Sequence, residues 1–114
     1  MDTFGALADP TRRQVLDLLT RRERSAGELG RAFPDISQPG MSRHLRVLRE
    51  AGLVQVRRHD RHRVYTLRSE GFAPVDAWIS KFRDFWETEL DSLESFLDAG
   101  HPPAGKPPAR GRPR

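Results

Sequence analysis

Residues 36–67, ISQPGMSRHLRVLREAGLVQVRRHDRHRVYTL, constrain this chain more than any other stretch. Their first half reads as a helix. Ser37 caps its N-terminus and Pro39 sits in the first turn, where a missing N–H costs little. Ile36 and Met41 occupy the two positions of a hydrophobic staple. Met41, Leu45 and Leu48 then recur at spacings of 4 and 3, a single buried stripe at helical period. The opposite face carries Gln38, Ser42, Arg43, Arg46 and Arg49, and Gly52 is the stop signal. Residues 53–56 and 64–67 follow as two strands, joined by a connector at 57–63 with four arginines, two histidines and Asp60. A helix with an Arg/Gln/Ser face and an arginine-tipped hairpin suits duplex DNA. The helix fits the major groove, and the hairpin straddles backbone or minor groove.

Charge is informative once it is divided along the chain. Residues 1–36 balance, 37–68 carry a surplus of +6, 69–99 carry −6, and 100–114 add four cations. The basic charge thus lies on the helix–hairpin unit and on the tail, which points to a polyanion partner. A merely solvated basic face would carry the same charge. The 114 residues suffice for one domain with a modest core, which we place at residues 1–99. Cysteine is absent, which removes disulfides and thiolate chemistry together. With no long apolar run and Asp2 directly after Met1, the expectation is a soluble cytoplasmic protein that makes no membrane contact.

Upstream of the basic stretch three more helices are expected. Residues 3–8 form a short opening helix with Phe4 and Leu7 inward. Asp9 caps a second helix whose first position is Pro10; it runs to about Arg22 and buries Val15, Leu16, Leu18 and Leu19. Arg21, Arg22 and Arg24 then favour its negative C-terminal end. Ser25 and Glu28 match a capping box that opens a third helix, with Leu29, Ala32 and Phe33 inward. Pro34 and Asp35 end it, and the turn into the Ser37 helix completes a helix-turn-helix. His44 shares a side with Met41 and Leu45 and reads as a packing residue; Tyr65 and Leu67 read as core cover.

From Pro74 a long helix repeats Val75, Ile79, Phe82, Trp86, Leu90, Leu93 and Leu97 at spacings of 3 and 4. Trp78, Phe85 and Phe96 widen that stripe beyond what a small domain needs to bury, so it reads as a subunit interface. Packing within one chain is the alternative. Asp76, Asp84, Glu87, Asp91, Glu94 and Asp98 line its other faces and would be repelled by DNA. Residues 100–114 form a basic Pro/Gly tail expected to be disordered, serving either non-specific DNA affinity or solubility.

The runs ALADPTRRQVLDLL, SAGELGRAF, ISQPGMSRHLRVLREAGLV and RRHDRHRVYTL together resemble the successive elements of the ArsR-type (arsenic-repressor-like) regulators, over residues 4–67 without a gap. The resemblance implies a mainly α fold with a small β-hairpin, a winged helix-turn-helix that dimerises through a long C-terminal helix. It implies a homodimeric repressor of transcription bound to double-stranded DNA at an inverted repeat. The groove-reading positions are those matching Gln38, Pro39, Ser42 and Arg43, with Ser37 and Arg46 beside them. Wing contacts match residues 58–63, of which Arg58, Arg61 and Arg63 carry the charge. Asp60 departs from the family at the tip, where a glycine is common. The terminal helix pairs with its mate, along with the first helix. The implied seam holds Phe4, Val75, Trp78, Ile79, Phe82, Phe85, Trp86, Leu90 and Leu93.

No cofactor or metal is expected. Metal-sensing relatives use cysteines or histidine/aspartate sets on the terminal helix, whereas here the histidines are His44, His59, His62 and His101. His59 and His62 lack a third strong ligand. The chain is closer to the cysteine-free branch resembling SdpR-type autorepressors, with a small-molecule or protein effector left open. No nucleophile–base set, phosphate-cradling glycine loop or catalytic carboxylate pair emerges, so no enzyme is expected. Two other readings stand beside the repressor: a nucleic-acid binder without sequence choice, and a protein–protein adaptor on the same scaffold.

Overall fold

The computed structural model describes residues 1–98. The tail expected at 100–114 lies outside the described residues. In order, the elements are α1 (Thr3–Leu7), α2 (Pro10–Leu19), β1 (Arg24–Ser25), α3 (Ala26–Ala32), α4 (Gln38–Glu50), β2 (Val54–His59), β3 (His62–Leu67) and α5 (Ala73–Asp98). A single 3-10 turn, Ser69–Phe72, precedes α5. The chain divides into two compact units, Met1–Trp78 and the run from Ile79 on.

Local chemistry accounts for most helix ends in the first unit. Asp2, Asp9, Ser25 and Ser37 each accept a backbone N–H from the first turn of the helix they precede. The Ser25–Glu28 capping box is closed in both directions: the Glu28 amide donates to Ser25 Oγ at 3.1 Å, and the Ser25 amide donates to Glu28 Oε1 at 2.9 Å. Arg22 adds an ion pair to Glu28 at 3.1 Å. The Ser25 amide above all, with Arg22, lowers the Glu28 carboxyl from 4.5 to about 2. Folding lowers this value, so its stabilisation is complete above pH 4.5 and lost as pH falls through about 2. Glu28→Gln keeps an acceptor but not the charge. The stability gap between wild type and Glu28→Gln, read from urea midpoints at fixed ionic strength, should therefore shrink steadily from pH 4.5 to 2.

The C-terminus of α4 closes as a Schellman motif. The Leu53 amide donates to Leu48 O and the Gly52 amide to Arg49 O, each at 3.0 Å, with Gly52 at φ 79°. Leu48 and Leu53, which this motif brings together, are both fully buried. The first-unit core gathers Ala6, Val15, Leu16, Leu19, Leu29, Met41, Leu45, Leu48, Leu53, Val54 and Tyr65.

Several sequence expectations are corrected here. The α2 helix ends at Leu19, not Arg22; Thr20 caps it, and Arg24 Nη2 reaches back to Leu18 O at 3.5 Å. On α1 the inward residues are Thr3 and Ala6, while Phe4 is exposed and Leu7 half-buried. A five-residue helix offers one turn of inward face, and small residues allow its close approach. Ala32 is exposed as well. The strands are longer than expected: 57–59 and 62–63 pair instead of looping, from Val54↔Leu67 to His59↔His62. Only Asp60 and Arg61 remain as the turn. Asp60 takes φ 57°, a left-handed conformation that aspartate tolerates where glycine is commoner. The expected hairpin is also a three-stranded sheet in the order β1-β3-β2, because Arg24 and Ser25 pair with Tyr65 and Val64.

Candidate nucleic-acid interface

Helix α4 turns Met41, Leu45 and Leu48 into the core and leaves Gln38, Pro39, Ser42, Arg43, Arg46 and Arg49 exposed. The placement follows from the staple and cap at its start: Ser37 Oγ accepts the Gly40 amide at 3.1 Å, and Ile36 precedes it half-buried. Ser37 thus spends its acceptor on the helix, and its O–H proton remains for a partner. His44 is half-buried on the same helix. Its Nδ1 lies 3.3 Å from Arg12 Nη1 and 4.0 Å from Asp9 Oδ2. Burial pushes the Asp9 carboxyl up, but the Arg12 amide, His44 and the Arg12 charge together hold it below its usual value.

Alternation along the hairpin decides where its arginines point. Residues paired across an antiparallel ladder share a face. Val54/Leu67 and Val56/Tyr65 occupy the face that covers the core, and Arg58/Arg63 continue that same face beyond it. Arg58 and Arg63 are therefore directly opposed like charges, a repulsive arrangement on its own. Arg61 is exposed at the turn.

The arginines differ in what they touch. Several tie the scaffold together, while Arg21, Arg31 and Arg83, away from α4 and the hairpin, make no hydrogen bond or ion pair among the described residues. Arg12 donates to Ala6 O at 2.7 Å and Gly5 O at 3.1 Å, and Arg13 donates to Leu7 O at 2.7 Å, so α2 satisfies the last carbonyls of α1. Arg57 pairs with Glu23 at 2.7 Å, and Arg68 donates to Gly52 O at 3.3 Å. By contrast, Arg43, Arg46, Arg49, Arg58, Arg61 and Arg63 make no hydrogen bond or ion pair among the described residues. Sequence reasoning gave Arg12, Arg13 and Arg57 no role, because their partners are backbone carbonyls or a residue 34 positions away.

Between α4 and β3 lies a cleft of about 250 Å³, lined by Ala26, Ser42, Leu45, Arg46, Arg49, Arg63 and Tyr65. Of these, Arg49 and Tyr65 were not singled out from sequence as contact residues. Among the described residues no group of three or more potential metal-ligating side chains occurs, and no helix is long and apolar enough to cross a membrane.

Along α5, the exposed large apolar residues include Trp78, Ile79, Phe82, Phe85, Trp86, Leu93 and Phe96. Val75 is half-buried, and Leu90 is 4% exposed already in the single protomer, so Leu90 offers little surface to a partner. Within the first unit, Phe4 meets Trp78 edge-to-face with ring centroids 5.8 Å apart.

A cap-anchored helix pair followed by a hairpin wing, both edged with unpaired arginines, defines a winged helix-turn-helix regulator of the DNA-binding class. The comparisons agree. A family model described as a helix-turn-helix domain matches residues 7–57. The transcriptional repressor SdpR of Bacillus subtilis is 32% identical over 89 residues, 78% of this chain and 98% of that protein. The HTH-type transcriptional regulator Rv2034 of Mycobacterium tuberculosis is 36% identical, covering 84% of this chain and 86% of its own. Among solved structures, an ArsR family transcriptional regulator superposes with a TM-score of 0.66 at 36% identity, over 74% of this chain and 86% of that one. A possible transcriptional regulator for arsenical resistance gives 0.65 at 42% identity, over 83% and 95%. The chain belongs to the ArsR family of helix-turn-helix transcriptional regulators.

Proposed function

We propose that this protein represses transcription as a homodimer that places two copies of α4 in adjacent major grooves of an inverted-repeat operator. Arg43 reads a guanine edge, Gln38 an adenine edge, and Arg46 the backbone; Ser37, Pro39 and Ser42 pack along the same groove wall. Arg58, Arg61 and Arg63 hold the flanking backbone or minor groove. The seam is the exposed aromatic side of α5, together with Phe4. A two-fold axis there sets the half-sites about 34 Å apart, one turn of the duplex. Repression follows when such a site overlaps a promoter.

The observation that carries this reading is the concentration of exposed, unpaired arginines on α4 and the hairpin. Six guanidinium groups on α4 and the hairpin have no partner among the described residues, and two of them face each other across the ladder. Water can solvate these exposed groups, but a phosphate backbone would pair them and relieve the Arg58–Arg63 repulsion. The −6 charge of residues 69–99 supports the same orientation, with α5 away from phosphate.

Selection from random duplexes, followed by footprinting, tests the reading by asking for a symmetric motif. On that motif Arg43→Ala should cost about 1–3 kcal/mol and relax one base position per half-site, whereas Arg61→Ala should weaken all sequences about equally. A scrambled duplex bound as tightly as the selected one at physiological salt would favour a binder without sequence choice. Unchanged affinity and preference in Arg43→Ala would remove α4 from the groove.

A further inference from the structure

We propose that the cleft between α4 and β3 is a seat for a phosphate oxyanion, in which Tyr65 supplies a neutral hydroxyl donor and Arg46, Arg49 and Arg63 supply the charge. The proposal rests on the DNA-binding reading and deepens it, because it names the group that enters between helix and wing.

Tyr65 is the decisive residue. Its ring belongs to the core and the residue is only 5% exposed, yet its hydroxyl makes no hydrogen bond among the described residues. That oxygen is also not among the fully enclosed unpartnered atoms, of which Arg24 Nε is the one found, and Tyr65 lines the cleft. A phenol whose ring is held this deep normally finds a partner for its hydroxyl. With no partner among the described residues, the hydroxyl is reached through the cleft, where water completes it in the free protein and a ligand acceptor would replace that water. The lining carries three guanidinium groups and the Ser42 hydroxyl, and no carboxylate. Everything polar on it can donate, and nothing on it is an anion. The chemistry selects an oxyanion.

Size narrows the class. At about 250 Å³ the cleft falls below the roughly 300–1,000 Å³ typical of sites for drug-sized molecules. A single phosphate, with its ester oxygens and ordered water, fits such a space. Position narrows it again. With α4 in a major groove and the β2–β3 tip at the neighbouring minor groove, the intervening sugar–phosphate strand crosses the gap between them. A phosphate held by a buried tyrosine would fix how deeply α4 inserts, a positioning contact carrying no base information. Helical spacing brings Ser42, Arg46 and Arg49 to one edge of α4 at steps of four and three. Strand alternation brings Arg63 and Tyr65 to the facing side of β3.

The test uses the full-length protein and the operator recovered by selection. Tyr65→Phe keeps the ring and removes one hydroxyl. It should lower affinity about tenfold on operator and scrambled duplex alike, with an unchanged thermal midpoint. Arg49→Gln should show a similar loss, and the slope of log K against log salt should fall by about one. A duplex carrying one neutral methylphosphonate at the bridging position should weaken wild type equally and leave Tyr65→Phe no further loss. In the absence of DNA, inorganic phosphate titrated against chloride of equal ionic strength, followed by NMR of the arginine Nε and tyrosine ring signals, tests the free ion. A phosphate response abolished by Tyr65→Phe, with operator binding intact, would assign the seat to free phosphate. If neither variant alters operator affinity nor the phosphate response, the seat does not exist. Failure of the wild type to select any operator would instead overturn the repressor reading, and the phosphate titration would still report on the cleft.

Discussion

Gly71→Ala is expected to be the most damaging small substitution in the first unit, costing about 3 kcal/mol of stability, the upper end for overpacking a filled site. A Cβ built on Gly71 falls far inside van der Waals contact with Gly52 O, 2.6 Å from the Gly52 carbonyl carbon and 3.2 Å from Leu53 Cα. These are backbone atoms on an anchored segment, so no side-chain tip can swing away. Gly52 is itself fixed at φ 79° by the motif that ends α4, and its carbonyl accepts from Arg68 Nη1 at 3.3 Å. The Arg68 amide donates to Leu53 O at 2.9 Å, and the Gly71 amide donates to Arg68 O at 3.0 Å. The added methyl group would have to force apart the turn after α4 and the 3-10 turn before α5. At about 4–8 °C per kcal/mol for a unit of this size, the thermal midpoint should fall by about 12–24 °C. Urea unfolding should show a lower midpoint with an unchanged slope. Gly30→Ala is the matched control. Nothing lies within 4 Å of the added carbon there, and it sits inside α3, so it should be neutral or stabilising by up to about 1 kcal/mol. Equal midpoints for the two variants would show that the Gly52–Gly71 contact is not tight in solution.

That contact marks the boundary of what the sequence makes legible. Interactions closed within a few residues were readable: the Ser37 cap, the Ser25–Glu28 box, the Gly52 stop, and the 4-and-3 spacing that puts Met41, Leu45 and Leu48 in the core. Each is decided by local backbone geometry, and a local pattern suffices to announce it. Features closed over longer distances were not readable. Gly71 looks like any loop glycine until Gly52 is placed beside it. Arg24 and Ser25 form an edge strand only because β3 is there to pair with them. Arg57 stands in a run of basic residues, yet Glu23 occupies it, whereas Arg58 next to it points to the other face and stays unpaired. Charge counting saw one basic cluster, and strand alternation divides it into a tie and an exposed, unpaired face. Phe4 shows the same limit in reverse: apolar character predicted burial, but a five-residue helix with Thr3 and Ala6 on its inner side turns Phe4 outward towards Trp78.

Phe85→Glu should have the largest effect on function, converting the proposed dimer to monomer and lowering operator affinity by at least about a hundredfold. Phe85 is 58% exposed, the most exposed of the large apolar side chains on α5, with Trp86 at 47% beside it. A contiguous aromatic surface of this kind is costly in water, and aromatic residues are enriched at the centres of interfaces. An unpaired carboxylate in such a seam, on a helix already rich in acid, would have to be desolvated without a counter-ion, so association fails before folding does. Far-ultraviolet circular dichroism should be unchanged, because the exposed Phe85 ring contributes little to the fold of a single protomer, while sedimentation at micromolar concentration should show one copy. The loss on DNA follows from linkage: two joined modules bind about 10²–10⁴ times better than either alone, and a monomer forfeits that gain. The surviving weak binding should keep its base preference on an isolated half-site, since α4 is untouched. This separates a lost partner from a damaged reading helix. Glu87→Gln, on the polar side of α5, should leave both assembly and affinity intact. A Phe85→Glu protein that still sediments as two copies would move the seam off this face of α5, and the spacing of the two reading helices would have to be set by another surface.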